Sequence, residues 1–506
     1  MSARSKLLTL IIIAIYATIM IGTNARFTIL DDESRIIVVA GHPIVSTVSL
    51  FFFGTGQHEH PPLSDILLHL WLVATNYSFF ALRIFANLFF IAAMFLTAKS
   101  AEELGGTMAY WTTLIVGFLW PFAFQYGRIT GWYCFTMFLV SLVTWLYLKV
   151  IEEKGRWAWL LLALTGMALV WSNYFGIAIL VLLLVDLLTF HRNLARKDIR
   201  PLVMSVAAIV LCAVPLVRIV LADLTVKALR APSRLSWKSA IPTIGYPTFS
   251  IFGSVAVAPW FLPLSLPIFA AVVALLVSLW FSPARKWILY FGLSLVLLQL
   301  SGHMNVKRVL FLLPWLFLGI GVAAFSQKTR YPRMNHAAVA TLVIVGWVGI
   351  VSGKHYSTTN LYEPWRNVAQ VVASDARRGA TIISENPPFF FYLDYALGLE
   401  AETETAQGPY LGEGLYRSHG YRILYPSEGQ VMPHNLSGNV VVVNGSALTN
   451  SVEWTNTLSD GLRQRCRTLS EYRAAPDPSA TLKRKFMKDV SVLAYRVDVT
   501  WYDCWN

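Results

Sequence analysis

Residues 26–63 read RFTILDDESRIIVVAGHPIVSTVSLFFFGTGQHEHPPL. This stretch carries three consecutive acids, Asp31, Asp32 and Glu33, and ends on Gln57-His58-Glu59-His60-Pro61-Pro62-Leu63. It follows an apolar run, residues 7–22, that itself stands behind Arg4 and Lys6. Carboxylates just past an apolar segment, then a stiff Pro-Pro turn leading into apolar sequence, describe the rim of a membrane cavity with a general base on it. The prolines fix the backbone and Leu63 begins an apolar helix, so the loop has a defined exit. The other apolar segments read as scaffolding that holds this loop against a lipid-borne substrate.

Composition agrees with that frame. The chain has 506 residues, 56% of them hydrophobic and 14% charged, with a mean hydropathy of +0.55, too apolar for a soluble protein of this size. The formal net charge of +13 is uneven: residues 1–353 hold 26 Lys+Arg against 12 Asp+Glu, and residues 354–506 hold 15 against 16. The excess lies in the apolar part, largely in short loops such as 191–200 and 328–333. That is the positive-inside pattern of a membrane protein and excludes a nucleic-acid patch.

A crossing takes about 20 residues, which gives roughly eleven spans. They are expected near 7–24, 79–98, 108–125, 131–150, 157–172, 174–190, 202–221, 263–281, 287–302, 308–326 and 336–353. The first is read as an uncleaved signal-anchor, with cleavage after Ala25 as the alternative. Arg4 and Lys6 put the N-terminus inside, and alternation puts the basic or mixed segments 149–156, 191–200, 282–286 and 328–333 there too. The acidic loop, the turn 125–128, residues 222–262, the turn 303–307 and everything after 353 fall outside. Segment 222–248 breaks the charge rule with Lys227, Arg230, Arg234 and Lys238; it is either a loop long enough to cross regardless or a cationic lip for a lipid phosphate. Residues 249–262 are expected to form an interfacial helix.

From about residue 354 the composition is that of a soluble α/β domain of ordinary size. A helix is expected over 363–378, strands over 381–385 and 439–444, a helix over 454–467 and a strand over 490–499. Cys134 and Cys212 lie in apolar segments and read as packing residues. Cys466 and Cys504 lie in the hydrophilic tail, where an external location leaves a disulfide between them open. No internal repeat, phosphate-binding glycine loop or Ser/His/Asp ordering is present.

Read residue by residue, the acids 31–33 are either a solvated loop or the base. His58, Glu59 and His60 offer metal-ligand chemistry, but alternate side chains diverge in an extended loop, so no metal is required; His58 and His60 sharing a divalent ion is the lesser alternative. Asp186 is expected to be solvated or paired with a neighbouring basic loop. Asp65 falls on an interfacial helix without an assigned role.

Several short runs occur together in order: Asp32-Glu33, His60-Pro61-Pro62-Leu63, Ala81-Leu82-Arg83, Leu104-Gly105-Gly106, Gln125 to Arg128, Ser172-Asn173-Tyr174-Phe175-Gly176, and Lys307-Arg308 with Pro314. In this the chain resembles the GT-C superfamily of polytopic, lipid-carrier-dependent glycosyltransferases, particularly the dolichyl-phosphate-mannose-protein mannosyltransferase-like branch. The resemblance covers residues 1–353 and is strongest over 20–190.

It implies a GT-C membrane domain, 1–353, and a soluble extracytoplasmic α/β domain, 354–506, in a bacterial inner membrane. It implies transfer of a sugar from a polyprenyl-phosphate donor to an acceptor hydroxyl of a protein, glycan or lipid, on the outer face and with inversion. Asp32 is then the base, Glu33 the alternative, and Asp31 a neighbour tuning its pKa. Arg83, Arg128, Lys307 and Arg308 fall at outer ends of spans, where they ring the donor phosphate or snorkel to the interface. Glu59, His60 and Tyr174 would orient substrate. Two departures stand out: many relatives carry a second acid in the turn where this chain has Gln125-Tyr126-Gly127-Arg128, and Asn173 replaces a histidine. Two other classes stay open: a transporter or flippase for a lipid-linked glycan, whose intramembrane charges would serve the pathway, and a catalytically inactive subunit, which the missing second acid favours.

Overall fold

The computed structural model describes residues 3–24, 33, 36, 39–41, 43–53, 60–76, 79–152, 155–230, 251, 262–279, 285–300, 306–325, 332–351, 365–384, 389, 392–393, 396–397, 414–418, 421–425, 437–445, 461–474 and 497–505. Up to residue 351 the described secondary structure is helical. α1 spans Ala3–Asn24, α2 Ile44–Phe53 and α3 Leu63–Ala74. α2 was not expected: a ten-residue apolar helix sits inside the stretch read as a loop, and its Phe51 is buried with Val170 and Leu216.

The expected segments 79–98 and 108–125 fall, up to residue 119, on one 41-residue helix, α4 (Phe79–Leu119), broken at Gly106, where φ is +74°. An L side chain rarely adopts that conformation, so glycine permits the break. α4 stops at residue 119 because Pro121 disfavours helical backbone at Trp120, which is extended (ψ 115°). Pro121 then opens the short α5 (Pro121–Tyr126).

α6 (Trp132–Ile151), α7 (Arg156–Ser172), α8 (Gly176–Phe190) and the short α9 (Arg192–Lys197) follow. α10 covers Ile199–Arg230, so residues 222–230, expected as loop, continue a helix. Their side chains lie outside the described residues, as do residues 231–250 and the expected interfacial segment, apart from Ile251 and Leu262. α11 (Leu262–Leu279), α12 (Arg285–Leu300), a 3-10 turn (Val306–Leu312), α13 (Leu313–Phe325) and α14 (Pro332–Val351) complete the helical part. Among the described residues, four segments are long and apolar enough to cross a membrane by length and composition: Ser5–Asn24, Ala81–Leu119, Trp132–Ile151 and Ile199–Val217.

The helices share one large apolar core with its centre on α4, α6 and α13. Lipid tails are as apolar as leucine, so association leans on packing and on polar pairs between helices. Thr97 and Ser141 hydroxyls meet at 3.1 Å, Thr136 and Ser172 at 2.7 Å, and Trp315 Nε1 donates to Thr144 Oγ1 at 2.9 Å. The strongest such knot is Asp186. The sequence left open solvation or pairing; its carboxylate is fully buried, accepting from Tyr147 Oη, from Tyr290 Oη at 2.6 Å and from Lys286 Nζ at 2.9 Å. It joins α6, α8 and α12, and Lys286 belongs to one of the basic segments expected inside.

After α14 come α15 (Trp365–Arg377) and strands β1 (Thr381–Ile383), β2 (Gly414–Ser418), β3 (Tyr421–Tyr425), β4 (Gly438–Gly445), β5 (Cys466–Ala474) and β6 (Val497–Cys504). They form one sheet in the order β2-β3-β1-β4-β6-β5. β1 runs parallel to both β3 and β4, and the remaining pairs are antiparallel. The expected helix over 454–467 is corrected at its end: β5 begins at Cys466, where pairing with β6 overrides local propensity. Residues 451–460 lie outside the described residues. The last strand extends to Cys504, beyond the expected limit of 499. Cys466 and Cys504 face each other across β5 and β6 and are disulfide-bonded.

α15 has one buried face, with Trp365, Val368, Ala369, Val372 and Ala376, and one exposed face. The buried face joins a second core that contains Leu68 and Leu72 of α3, Leu82 and Phe85 of α4, and Val441 and Val499 of the sheet. The sheet and α15 therefore rest on α3 and the first turns of α4, the end of the helical body that also holds Glu33.

Candidate active site

Four segments meet where α1 ends. The last carbonyls of a helix have no partner within it and carry negative partial charge, so a cation is favoured there. Arg83, in the second turn of α4, supplies one: its Nη1 donates to the Asn24 carbonyl at 2.9 Å. Its Nη2 donates to Glu33 Oε2 at 3.1 Å, and both side chains are buried, 2% and 0% exposed. The other carboxylate oxygen of Glu33 accepts the backbone N–H of Thr130 at 2.8 Å. One carboxylate thus ties the acidic loop to α4 and to the turn before α6.

One helical turn after Arg83, Asn87 extends the junction. It accepts from Asn24 Nδ2 at 2.6 Å and donates to the Gly127 carbonyl at 3.2 Å. Arg128, fully buried, donates from Nη1 to Thr23 Oγ1 at 3.0 Å and from Nε to the Phe124 carbonyl at 3.3 Å, with its guanidinium 4.6 Å from the Phe124 ring centre. Gly131 has φ +143°, and a Cβ there would stand 2.7 Å from Ile36 Cδ1. Glycine therefore lets the acidic loop close against the turn.

Aromatic rings border this junction. The His60 imidazole lies 4.3 Å from the Trp132 ring, Trp132 lies 6.1 Å from Phe311, and Phe311 lies 5.8 Å from Phe175. Phe311 belongs to the 3-10 turn that carries Lys307 and Arg308, so that basic pair arrives beside the start of α6. Arg308 is half-buried, and the Lys307 side chain lies outside the described residues. Tyr174 packs against the Phe51, Val170 and Leu216 cluster.

The structure thus brings Glu33, Arg83, Arg128 and, through the aromatic wall, His60 and Arg308 to one end of the helical body. Asp31, Asp32, His58 and Glu59 lie outside the described residues. Sequence reasoning did not single out Asn24, Asn87 or Thr130. Asn87 follows Arg83 by four residues in a stretch, 79–96, that is otherwise apolar, and that spacing was the available signal. Asp65, one residue after the buried Ser64, stands in the first turn of α3; burial pushes its carboxyl up to about 7. Among the described residues, no three of His, Cys, Asp and Glu gather in a metal-binding arrangement.

No protein-family model matches the chain, and no curated protein sequence is significantly similar to it. Solved structures are similar in fold. The crystal structure of ArnT from Cupriavidus metallidurans in the apo state superposes with a TM-score of 0.55 at 13% identity, over 99% of this chain and 98% of that one. The structure of the same protein bound to undecaprenyl phosphate gives a TM-score of 0.54 at 11% identity, with the same coverage. The chain has the ArnT fold along essentially its whole length.

Proposed function

We propose that this protein is an integral-membrane glycosyltransferase that moves a sugar from a polyprenyl-phosphate donor to an acceptor hydroxyl, with inversion. The likeness to ArnT over nearly the full length of both chains carries the reading, since one ArnT structure holds a polyprenyl phosphate. The anchoring of Glu33 supports it further: a base must be held within hydrogen-bond reach of the hydroxyl it deprotonates, and Asp32 immediately precedes Glu33 in the sequence.

In this reading Asp32 takes the acceptor proton, with Asp31 tuning its pKa. The acceptor oxygen attacks the anomeric carbon from the face opposite the phosphate, the carbon–oxygen bond to the phosphate breaks, and polyprenyl phosphate leaves. The growing charge on that phosphate calls for cations. Arg308 and Lys307 contact it, while Arg83 and Arg128 lie behind. Glu33 serves chiefly as the clamp and only secondarily as base. Glu59, His60 and Tyr174 orient the sugars, His60 from its seat on Trp132. The active face is extracytoplasmic, with residues 1–353 forming the catalytic domain and 354–506 shaping acceptor access, in a bacterial inner membrane.

A second reading, a catalytically inactive subunit, rests on Tyr126. It occupies the turn where an acid is expected, yet it is 3% exposed and its ring centre lies 4.5 Å from that of Phe122. A transfer assay in liposomes with radiolabelled polyprenyl-phosphate sugars separates the two, comparing wild type with Asp32→Asn. Label reaching a new product, and ceasing to do so in the folded variant, is the expected outcome. Label remaining on a carrier that still binds would leave the inactive subunit, or a flippase, as the reading to pursue.

A further inference from the structure

A cavity of about 730 Å³ opens between the end of α6, the start of α7 and the α9–α10 turn. α6 begins at the Glu33 junction and its 20 residues end at this cavity, so the two sites lie about 30 Å apart. Lys197 and Arg200 line it as cations, with Asp198 between them. The Asp198 carboxylate accepts from Trp159 Nε1 at 3.2 Å. Val150 and Pro201 add apolar surface to the lining.

The surroundings are as informative as the lining. On one flank, α10 presents Val203 and Met204, 55% and 72% exposed; on the other, α7 presents Trp157, Leu160 and Leu164, 75%, 48% and 49% exposed. A cavity of mixed lining and net positive charge thus opens between two exposed apolar helix faces. Basic cavities between membrane helices recognise anionic headgroups, with acyl chains covering the adjoining apolar surface.

We propose that this cavity is a binding site for an anionic glycerophospholipid with a hydroxyl-bearing headgroup, of the phosphatidylglycerol class. Lys197 and Arg200 take the phosphodiester, and a guanidinium suits phosphate oxygens through paired N–H donors. Asp198 accepts from the headgroup hydroxyls. The lining carries a net charge of +1, which complements a lipid with one negative charge and disfavours a zwitterionic one. The acyl chains run down the exposed faces of α7 and α10.

The test is native mass spectrometry of the full-length protein released from nanodiscs containing equal parts phosphatidylglycerol, phosphatidylethanolamine and phosphatidylcholine. Retained phosphatidylglycerol is expected, with at least tenfold lower occupancy in the Lys197→Ala/Arg200→Ala variant. These side chains are exposed, so an unchanged thermal midpoint keeps the comparison clean. Equal retention of the three lipids, preference for the ethanolamine lipid, or unchanged occupancy in the variant would overturn the assignment. So would displacement of the lipid by soluble glycerophosphoglycerol at matched concentration, because the apolar flanks would then contribute nothing.

Discussion

Glu33 and Arg83 stand fifty residues apart in sequence and form an ion pair at 3.1 Å, shielded from solvent, with Thr130 donating to the second carboxylate oxygen. Breaking such a pair from one side leaves an uncompensated buried charge, which costs about 3–5 kcal/mol. Glu33→Ala is therefore expected to lower the thermal midpoint in detergent sharply. Glu33→Gln combined with Arg83→Gln removes both charges and should recover part of the loss. If the double variant is no more stable than the single one, the pair is not the organising contact.

Asp32→Asn keeps shape and polarity and removes only basicity. Transfer should fall by about 100-fold or more while the thermal midpoint stays put. Glu33→Gln, by contrast, should lower the thermal midpoint and transfer together. That contrast separates the base from the clamp.

Gly131→Ala introduces a methyl 2.7 Å from Ile36 Cδ1 and asks alanine to hold φ +143°. The strain is on the order of 1–3 kcal/mol. Ile36→Val removes the opposing methyl and should restore part of the stability, leaving the backbone share. Proteolysis of the acidic loop would report on it directly, with faster cleavage expected in Gly131→Ala.

Asp65 gives a pH dependence of definite sign. Its carboxyl, buried in the first turn of α3, is raised from 3.8 to about 7. Between those values the folded protein holds a proton that the unfolded chain has released, so this group's contribution to stability falls as pH rises through that window and is level above it. Asp65→Asn should raise the thermal midpoint at pH 8 and leave it nearly unchanged at pH 4. An equal gain at both would mean the carboxyl titrates normally.

The disulfide spans 38 residues of sequence, and closing a loop of that size stabilises by about 2–4 kcal/mol. Cys466→Ser with Cys504→Ser should lower the midpoint of the sheet's unfolding without altering that of the helices. Alkylation of the unreduced, denatured wild type should label Cys134 and Cys212 alone.

Much of the helical part was legible, because an apolar run long enough for a bilayer leaves few alternatives. Each of the eleven expected segments falls largely on described helix, with 79–98 and most of 108–125 on one helix broken at Gly106 and 308–312 a 3-10 turn. α2 escaped notice because its ten residues, seven of them apolar and interrupted by Ser46, Thr47 and Ser49, are too few for a span. The sheet was half legible: β4 announces itself with four consecutive valines, whereas the edge strand β5, CRTLSEYRA, buries only its end residues and has no apolar alternation. The junction was legible in its members but not in its wiring. Glu33 and Arg83 were each assigned to substrate, since no local pattern reports a partnership across fifty residues.

The strand order also sets a sequence of events. β6 lies between β4 and β5 and follows both in the chain. Until residues 497–504 have been made, β4 has one bare edge, β5 has no neighbour, and the thiol of Cys466 has nothing to oxidise with across the strands. Closure of the sheet is therefore a late step in folding, after the residues of α1 to α14 have been synthesised. Any stall before that point leaves an unpaired strand edge and a reactive thiol exposed together, the combination that quality-control proteases and oxidative catalysts meet first.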